Sequence, residues 1–171
     1  QYALEGSIFV AGAAIQWLRD KLKIITTSAD SEALARSVAD SGRITFVPAF
    51  VGLGAPHWRP EVRGAIFGLS RDSSAAHIAR AALEGVAHQV ADLFDDPAFK
   101  PVTVLRIDGG MSENRLFCQI LANLLGIRIE RAANAEASAF GVAALASLGA
   151  DRSRSFSKLH EDLHEGFRAG E

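Results

Sequence analysis

The run Val104-Leu105-Arg106-Ile107-Asp108-Gly109-Gly110-Met111-Ser112-Glu113-Asn114 couples an apolar strand pattern to paired glycines and then to a helix pattern. Backbone N–H groups exposed at such a helix start can meet a phosphate with no side chain in the way. Gly110 would let a ligand approach the main chain closely, and Asn114, one turn into the helix, carries both a donor and an acceptor for a nucleotide. A Gly-Gly turn that merely joins a strand to a helix has the same composition, so the motif alone leaves both readings open. It is not a Walker A loop, because no Gly-Lys-Ser/Thr follows. Asp108 is expected to order the turn through its side chain rather than to act as a base.

A second pattern lies in the tail. His160-Glu161-Asp162-Leu163-His164 fits H-E-x-x-H, which on a helix puts two imidazoles on one face to hold zinc beside a glutamate base. A zinc hydrolase also needs a third ligand in fixed geometry, yet no histidine follows His164 and only Glu165 and Glu171 remain as carboxylates. A solvated, charged helix face is the reading these residues favour. His57, His77 and His88 are well separated, and no metal site is expected of them.

The elements that must position these residues alternate. An extended opening at 2–5 leads to a helix over 9–22, where Phe9, Val10, Ala13, Ala14, Trp17 and Leu18 form an apolar stripe with Gly12 and Gln16 one turn apart at its edge. A helix at 31–40 and a buried strand at 44–50 follow, then a Gly/Pro-rich loop at 51–60. In and beside that loop, Phe50 and Trp58 are expected to serve packing, and Arg63 to be a solvated or salt-bridged surface residue. A strand at 65–69 precedes a long helix capped by Ser73 or Ser74, with Ile78, Ala82, Val86, Val90 and Leu93 at helical spacing. Strand 102–107, helix 113–125, strand 127–130 and helix 136–148 complete the order. Alternation with short connections predicts an α/β layer architecture containing parallel strands. From Asp151 the pattern loosens into an Arg/Ser-rich tail with a short charged helix.

Composition bounds what this arrangement can be. With 171 residues, 49% hydrophobic and 22% charged, the chain holds one globular domain and has no room for a second complete one. A net charge of -2 and no basic patch exclude nucleic acid as an expected partner. The single cysteine, Cys118, reads as a buried thiol in a cytoplasmic protein. The apolar stretch 137–150 is too short for a membrane span and rich in small residues, so no membrane partner is expected. Gln1 opens directly on a structured-looking segment, which leads to the expectation of an upstream part.

Several ordered segments now matter together. They are Leu4-Glu5-Gly6-Ser7 running into Gly12-Ala13-Ala14-Ile15-Gln16-Trp17-Leu18; Phe46-Val47-Pro48-Ala49-Phe50 with Gly52-Leu53-Gly54-Ala55-Pro56-His57-Trp58; and Arg63-Gly64-Ala65-Ile66-Phe67-Gly68-Leu69. To these add His77-Ile78-Ala79-Arg80-Ala81-Ala82-Leu83-Glu84-Gly85 and the Asp108-Gly109-Gly110 turn. Over residues 2–149 they resemble the FGGY carbohydrate kinases, most closely the branch that phosphorylates glycerol. The resemblance implies an actin-like, ribonuclease-H-type α/β domain over 1–150, the C-terminal half of a two-domain kinase, with 151–171 as a peripheral tail. It implies nucleotide contacts at Gly12, Gln16, Gly110 and Asn114, and an activity that moves the γ-phosphoryl group of Mg-ATP to a small polyol, glycerol first.

In that family the catalytic base, the polyol pocket and the first phosphate loop belong to a segment before this chain begins. The resemblance therefore implies a partner N-terminal domain and magnesium held mainly by nucleotide and that domain. It also implies an isolated chain that binds ATP or ADP weakly, catalyses little, and self-associates through its uncovered face. Met111-Ser112-Glu113-Asn114-Arg115 and Glu136-Ala137-Ser138-Ala139-Phe140-Gly141 depart from the family's usual small-residue and threonine-rich versions. The tail lacks the expected aromatics, which keeps another sugar or polyol, or a non-catalytic nucleotide-binding module, as alternatives to glycerol phosphorylation.

Overall fold

A computed structural model describes residues 5–132, 137–150 and 164–167. Helix α1 (Gly12–Trp17) continues as a π-helical turn over Leu18–Leu22 and stops at Lys23, whose φ of 55° is left-handed. The helix begins later than the expected 9–22 because Ala11 has a non-helical backbone. Phe9 is thereby left 44% exposed, and the buried stripe becomes Val10, Ala14, Ile15 and Leu18. Trp17 closes the other side by stacking against Phe46 and Phe50 at centroid distances of 6.0 and 5.2 Å.

Helix α2 (Asp30–Arg36) is tied to the loop before it by its first residue. The Asp30 carboxylate accepts N–H bonds from Thr27 at 2.6 Å and Thr26 at 3.1 Å. The Thr27 backbone N–H, then its hydroxyl, and to a lesser degree the Thr26 N–H favour the charged form and hold this carboxyl below the ordinary aspartate range. A depressed folded value means that its stabilisation is present above the unfolded value of about 4 and is lost as pH falls through the folded one. Melting curves of wild type and Asp30→Asn should therefore differ at pH 7 and converge as pH falls through the depressed folded value of this carboxyl. A gap that stays constant with pH would show that the charge on Asp30 does not hold this turn.

Strands β1 (Thr45–Val47) and β2 (Ala65–Phe67) form an antiparallel pair with Phe46 opposite Ile66. β1 is shorter than the expected 44–50 because Pro48 has no N–H to donate and the Ala49 N–H turns back onto the Val47 carbonyl at 2.9 Å. The loop between them is pinned at Gly54, where a methyl would overlap the Ser7 carbonyl oxygen that also accepts the Ala55 N–H. Trp58, expected to pack, is 62% exposed and, among the aromatic rings of the described residues, meets only Phe9, edge to face. Arg63 is exposed as expected and donates to the Pro60 and Val62 carbonyls.

Helix α3 (Ala75–Phe94) is the centre of the core. Ser74 starts it, its backbone N–H donating to His77 Nδ1 at 3.2 Å, the place a glutamate or glutamine takes in the usual capping box. Its buried residues are Ala76, Ala79, Ala81, Ala82, Leu83, Val86 and Ala87, and alanine on so many contact positions lets α1, α2, β1 and helix α4 (Arg115–Leu125) approach closely. Cys118 is fully buried on α4 as expected.

Strand β3 (Val104–Ile107) lies parallel to β4 (Arg128–Ala132), with α4 as the crossover, which is the parallel unit the alternation predicts. Helix α5 (Ala137–Ala150) follows, and Glu136, expected to begin it, lies outside the described residues. Strand β5 (His164–Phe167) then pairs antiparallel with β4, Ile129 facing Phe167 and Ala132 facing His164. This corrects the expected tail helix at these four positions. An open β4 edge offers backbone groups that a short local helix pattern does not outweigh, so tertiary pairing decides. His164 is thus on a strand, and the two-imidazole geometry that H-E-x-x-H requires on a helix does not apply to it. His160, Glu161, Asp162 and Leu163, like the opening residues 1–4, lie outside the described residues.

Candidate functional site

The glycine turn after β3 is built differently from a simple strand-to-helix joint. Gly109 adopts a φ of 78°, open to glycine, and Gly110–Glu113 then make a 3-10 turn before α4 begins at Arg115. Ser112 holds this turn: its hydroxyl and its N–H both donate to the Gly109 carbonyl, at 2.7 and 3.0 Å. The Ser112 carbonyl in turn accepts from the buried Cys118 thiol at 3.3 Å and from Arg131 at 3.4 Å. The Asp108 side chain, expected to order the turn, makes no hydrogen bond among the described residues, and the residue lines the adjoining cavity instead. The serine hydroxyl can fold back onto the turn because it sits inside the 3-10 segment, whereas Asp108 sits before it.

Asn114 is the N-cap of α4 rather than a residue one turn inside it. Its Oδ1 accepts the Phe117 N–H at 2.9 Å, and its Nδ2 donates to Ser31 Oγ at 3.2 Å. The Arg115 N–H donates to Glu32 Oε2 at 2.9 Å. The Arg115 and Phe117 N–H groups in the first turn of α4 are therefore already taken by side-chain oxygens, which leaves the glycine turn as the barer stretch of main chain beside the cavity.

Gly12 and Gln16 from α1, Gly110 and Asn114 all line one cavity of about 490 Å³, so the four residues singled out in the sequence come together. Its walls also include Ala11, Ile15 and Met111, and Ser28, Ala29, Ser31 and Glu32 from the loop before α2 and its first turn. That last group was not legible in the sequence, since Ser31 lies 83 residues from Asn114 and no motif marks it. A cavity of this size suits a nucleotide-sized ligand. Gly110 is exposed, and a Cβ built on it meets nothing within 4 Å, so the main chain stands bare toward open space. Asp108, Glu32 and Glu113 bring three carboxylates to the rim, with no Lys or Arg among the described lining residues.

A second cavity of about 410 Å³ lies between β1 and α3. It holds His57, 2.9 Å from Asp92, and His88, but none of the four residues above. No group of three His, Cys, Asp or Glu among the described residues is placed to hold a metal ion, and no described helix is long and apolar enough to cross a membrane.

The model of the FGGY family of carbohydrate kinases, C-terminal domain, matches residues 1–150. Glycerol kinase of Rhodospirillum rubrum is 56% identical over 153 residues, which is 87% of this chain and 31% of that protein. Glycerol kinase of Verminephrobacter eiseniae is 52% identical over 165 residues, 92% of this chain and 32% of its own length. The chain thus spans about a third of these relatives. Among solved structures, Plasmodium falciparum glycerol kinase with ADP superposes with a TM-score of 0.81 at 33% identity, covering 96% of this chain and 34% of that one. A parallel β3–α4–β4 unit packed on α3, a glycine turn bared to a cavity, and a match across nearly the whole chain agree: this is an α/β domain of actin-like ATPase fold, and the chain belongs to the FGGY family of carbohydrate kinases as its C-terminal domain.

Proposed function

We propose that this chain is the ATP/ADP-binding half of a kinase that transfers the γ-phosphoryl group of Mg-ATP to glycerol. The observation that carries the reading is the convergence of Gly12, Gln16, Gly110 and Asn114 on one cavity in a chain 56% identical to a glycerol kinase. The ADP in the Plasmodium relative supports a nucleotide as the ligand. Phosphoryl transfer depends on positioning and charge neutralisation more than on covalent chemistry supplied by the protein. The chain's own residues bind and orient; the base and the polyol pocket belong to the remainder of the longer protein. Magnesium bound with the nucleotide would offset the phosphate charge that Asp108, Glu32 and Glu113 oppose.

Glycerol is favoured over a sugar by sequence identity, which is 56% and 52% to two glycerol kinases against 21% and 26% to xylulose kinase structures and 21% to a gluconate kinase structure. Val142 and Leu145, 69% and 63% exposed on α5, support an apolar face against a second domain. The cytoplasm is where ATP is abundant and a free thiol such as Cys118 stays reduced.

Calorimetric titration with Mg-ADP tests the reading. Asn114→Ala should weaken binding about tenfold, roughly 1.4 kcal/mol, and should also lower the melting temperature, because a lost N-cap costs about 1 kcal/mol. Asn114→Asp keeps a capping oxygen but sets a carboxylate oxygen against Ser31 Oγ in place of the N–H donor, so it should recover only part of the melting temperature and still lose the affinity. No heat from wild type, or an Asn114→Asp variant that binds as wild type does, would overturn the assignment of this site.

A further inference from the structure

The Asn114 carboxamide has two N–H donors, and among the described residues one is used. Its Oδ1 is committed to the Phe117 N–H, and one Nδ2 hydrogen goes to Ser31 Oγ. The direction of that second bond is settled by Ser31 itself, whose hydroxyl donates to the Ser28 carbonyl at 2.6 Å and so has only lone pairs to offer Asn114. Ser31 is 1% exposed, so water does not compete for the contact. With both ends of the carboxamide held, its plane is fixed, and one Nδ2 hydrogen remains for a ligand in the cavity that Ser31 and Asn114 share.

We propose that Ser31 is a positioning residue for the nucleotide, holding the Asn114 carboxamide so that its remaining N–H is presented to an acceptor on the bound base; the inference rests on the nucleotide reading above. Without the Ser31 oxygen, Asn114 keeps its capping bond but its plane is free to swing about it, and the donor is no longer aimed before the ligand arrives. Preorganisation of this kind contributes affinity by removing an ordering cost from the binding step.

The test is a double-mutant cycle in Mg-ADP affinity on the 171-residue chain. Ser31→Ala should weaken binding about fivefold in the wild-type background and have no further effect in Asn114→Ala, because the group it aims is gone. Ser31→Thr, which retains the hydroxyl, should recover most of the loss. In the ligand-free protein, the bond to Ser31 should shift the splitting of the Asn114 side-chain amide protons away from that of a free primary amide, and Ser31→Ala should return it toward the free value in a nitrogen-15 correlation spectrum. This readout does not depend on nucleotide. An unchanged splitting, or an about fivefold loss that persists in Asn114→Ala, overturns the positioning role while leaving the nucleotide site intact. Absence of binding by wild type overturns the nucleotide reading and this inference with it.

Discussion

Gly85→Ala should destabilise the protein by about 3 kcal/mol, lowering its melting temperature by roughly 6–12 °C. The direction opposes helix propensity, since alanine in the middle of a helix is worth about 1 kcal/mol over glycine. Gly85 sits well inside α3, where a methyl would overlap the Phe46 carbonyl oxygen and approach Pro48 Cδ to 3.3 Å. Both sides of that contact are backbone, one in a strand and one in a long helix, so neither gives way cheaply. A shift of β1 would also disturb Phe46 and Phe50 where they pack on Trp17, the residue after Gln16 on α1. Thermal denaturation of the single variant decides the matter, and a Gly85→Ala variant more stable than wild type would mean that α3 and β1 do not touch at this position.

At Gly110 the same kind of substitution should act in the opposite sense. Gly110→Val should leave the melting temperature within a few degrees of wild type and abolish Mg-ADP binding, a loss of about a hundredfold or more, about 2.7 kcal/mol. Nothing lies within 4 Å of a Cβ at this position, and its φ is not among the left-handed ones, so the folded chain accepts the side chain. The space it fills is the cavity where ligand would meet the bare main chain. Paired calorimetry and melting would separate the two roles of glycine: Gly85 is needed because protein backbone approaches it, and Gly110 is expected to be needed because a ligand would. A Gly110→Val variant that binds Mg-ADP as wild type does would remove the glycine turn from the nucleotide site.

Much of this was readable from local pattern. The long helix α3, the amphipathic α4 and the parallel pair β3–β4 follow from helical spacing and from alternation with short connections, both of which depend on near neighbours in the chain. Gly12, Gln16, Gly110 and Asn114 were singled out as candidates because residue type and spacing, read with the resemblance of ordered segments, mark both places in the chain. That they share a cavity is a property of the fold alone.

The start of α4 was harder to read, because a Gly-Gly-Met-Ser sequence is equally compatible with a helix and with the 3-10 turn that Ser112 closes by folding back on Gly109. The non-helical backbone at Ala11 left Phe9 outside the first helix, and tertiary pairing drew His164–Phe167 into the sheet as β5 against a tail pattern that suggested helix. The sequence alone determined most of the helices and the parallel strand pair, which depend on local periodicity, and through residue type and family resemblance it singled out the four candidate nucleotide contacts. Only the tertiary structure decided that α2 delivers Ser31 and Glu32 to the beginning of α4, because a hydrogen bond across 83 residues leaves no periodic trace in the chain that makes it.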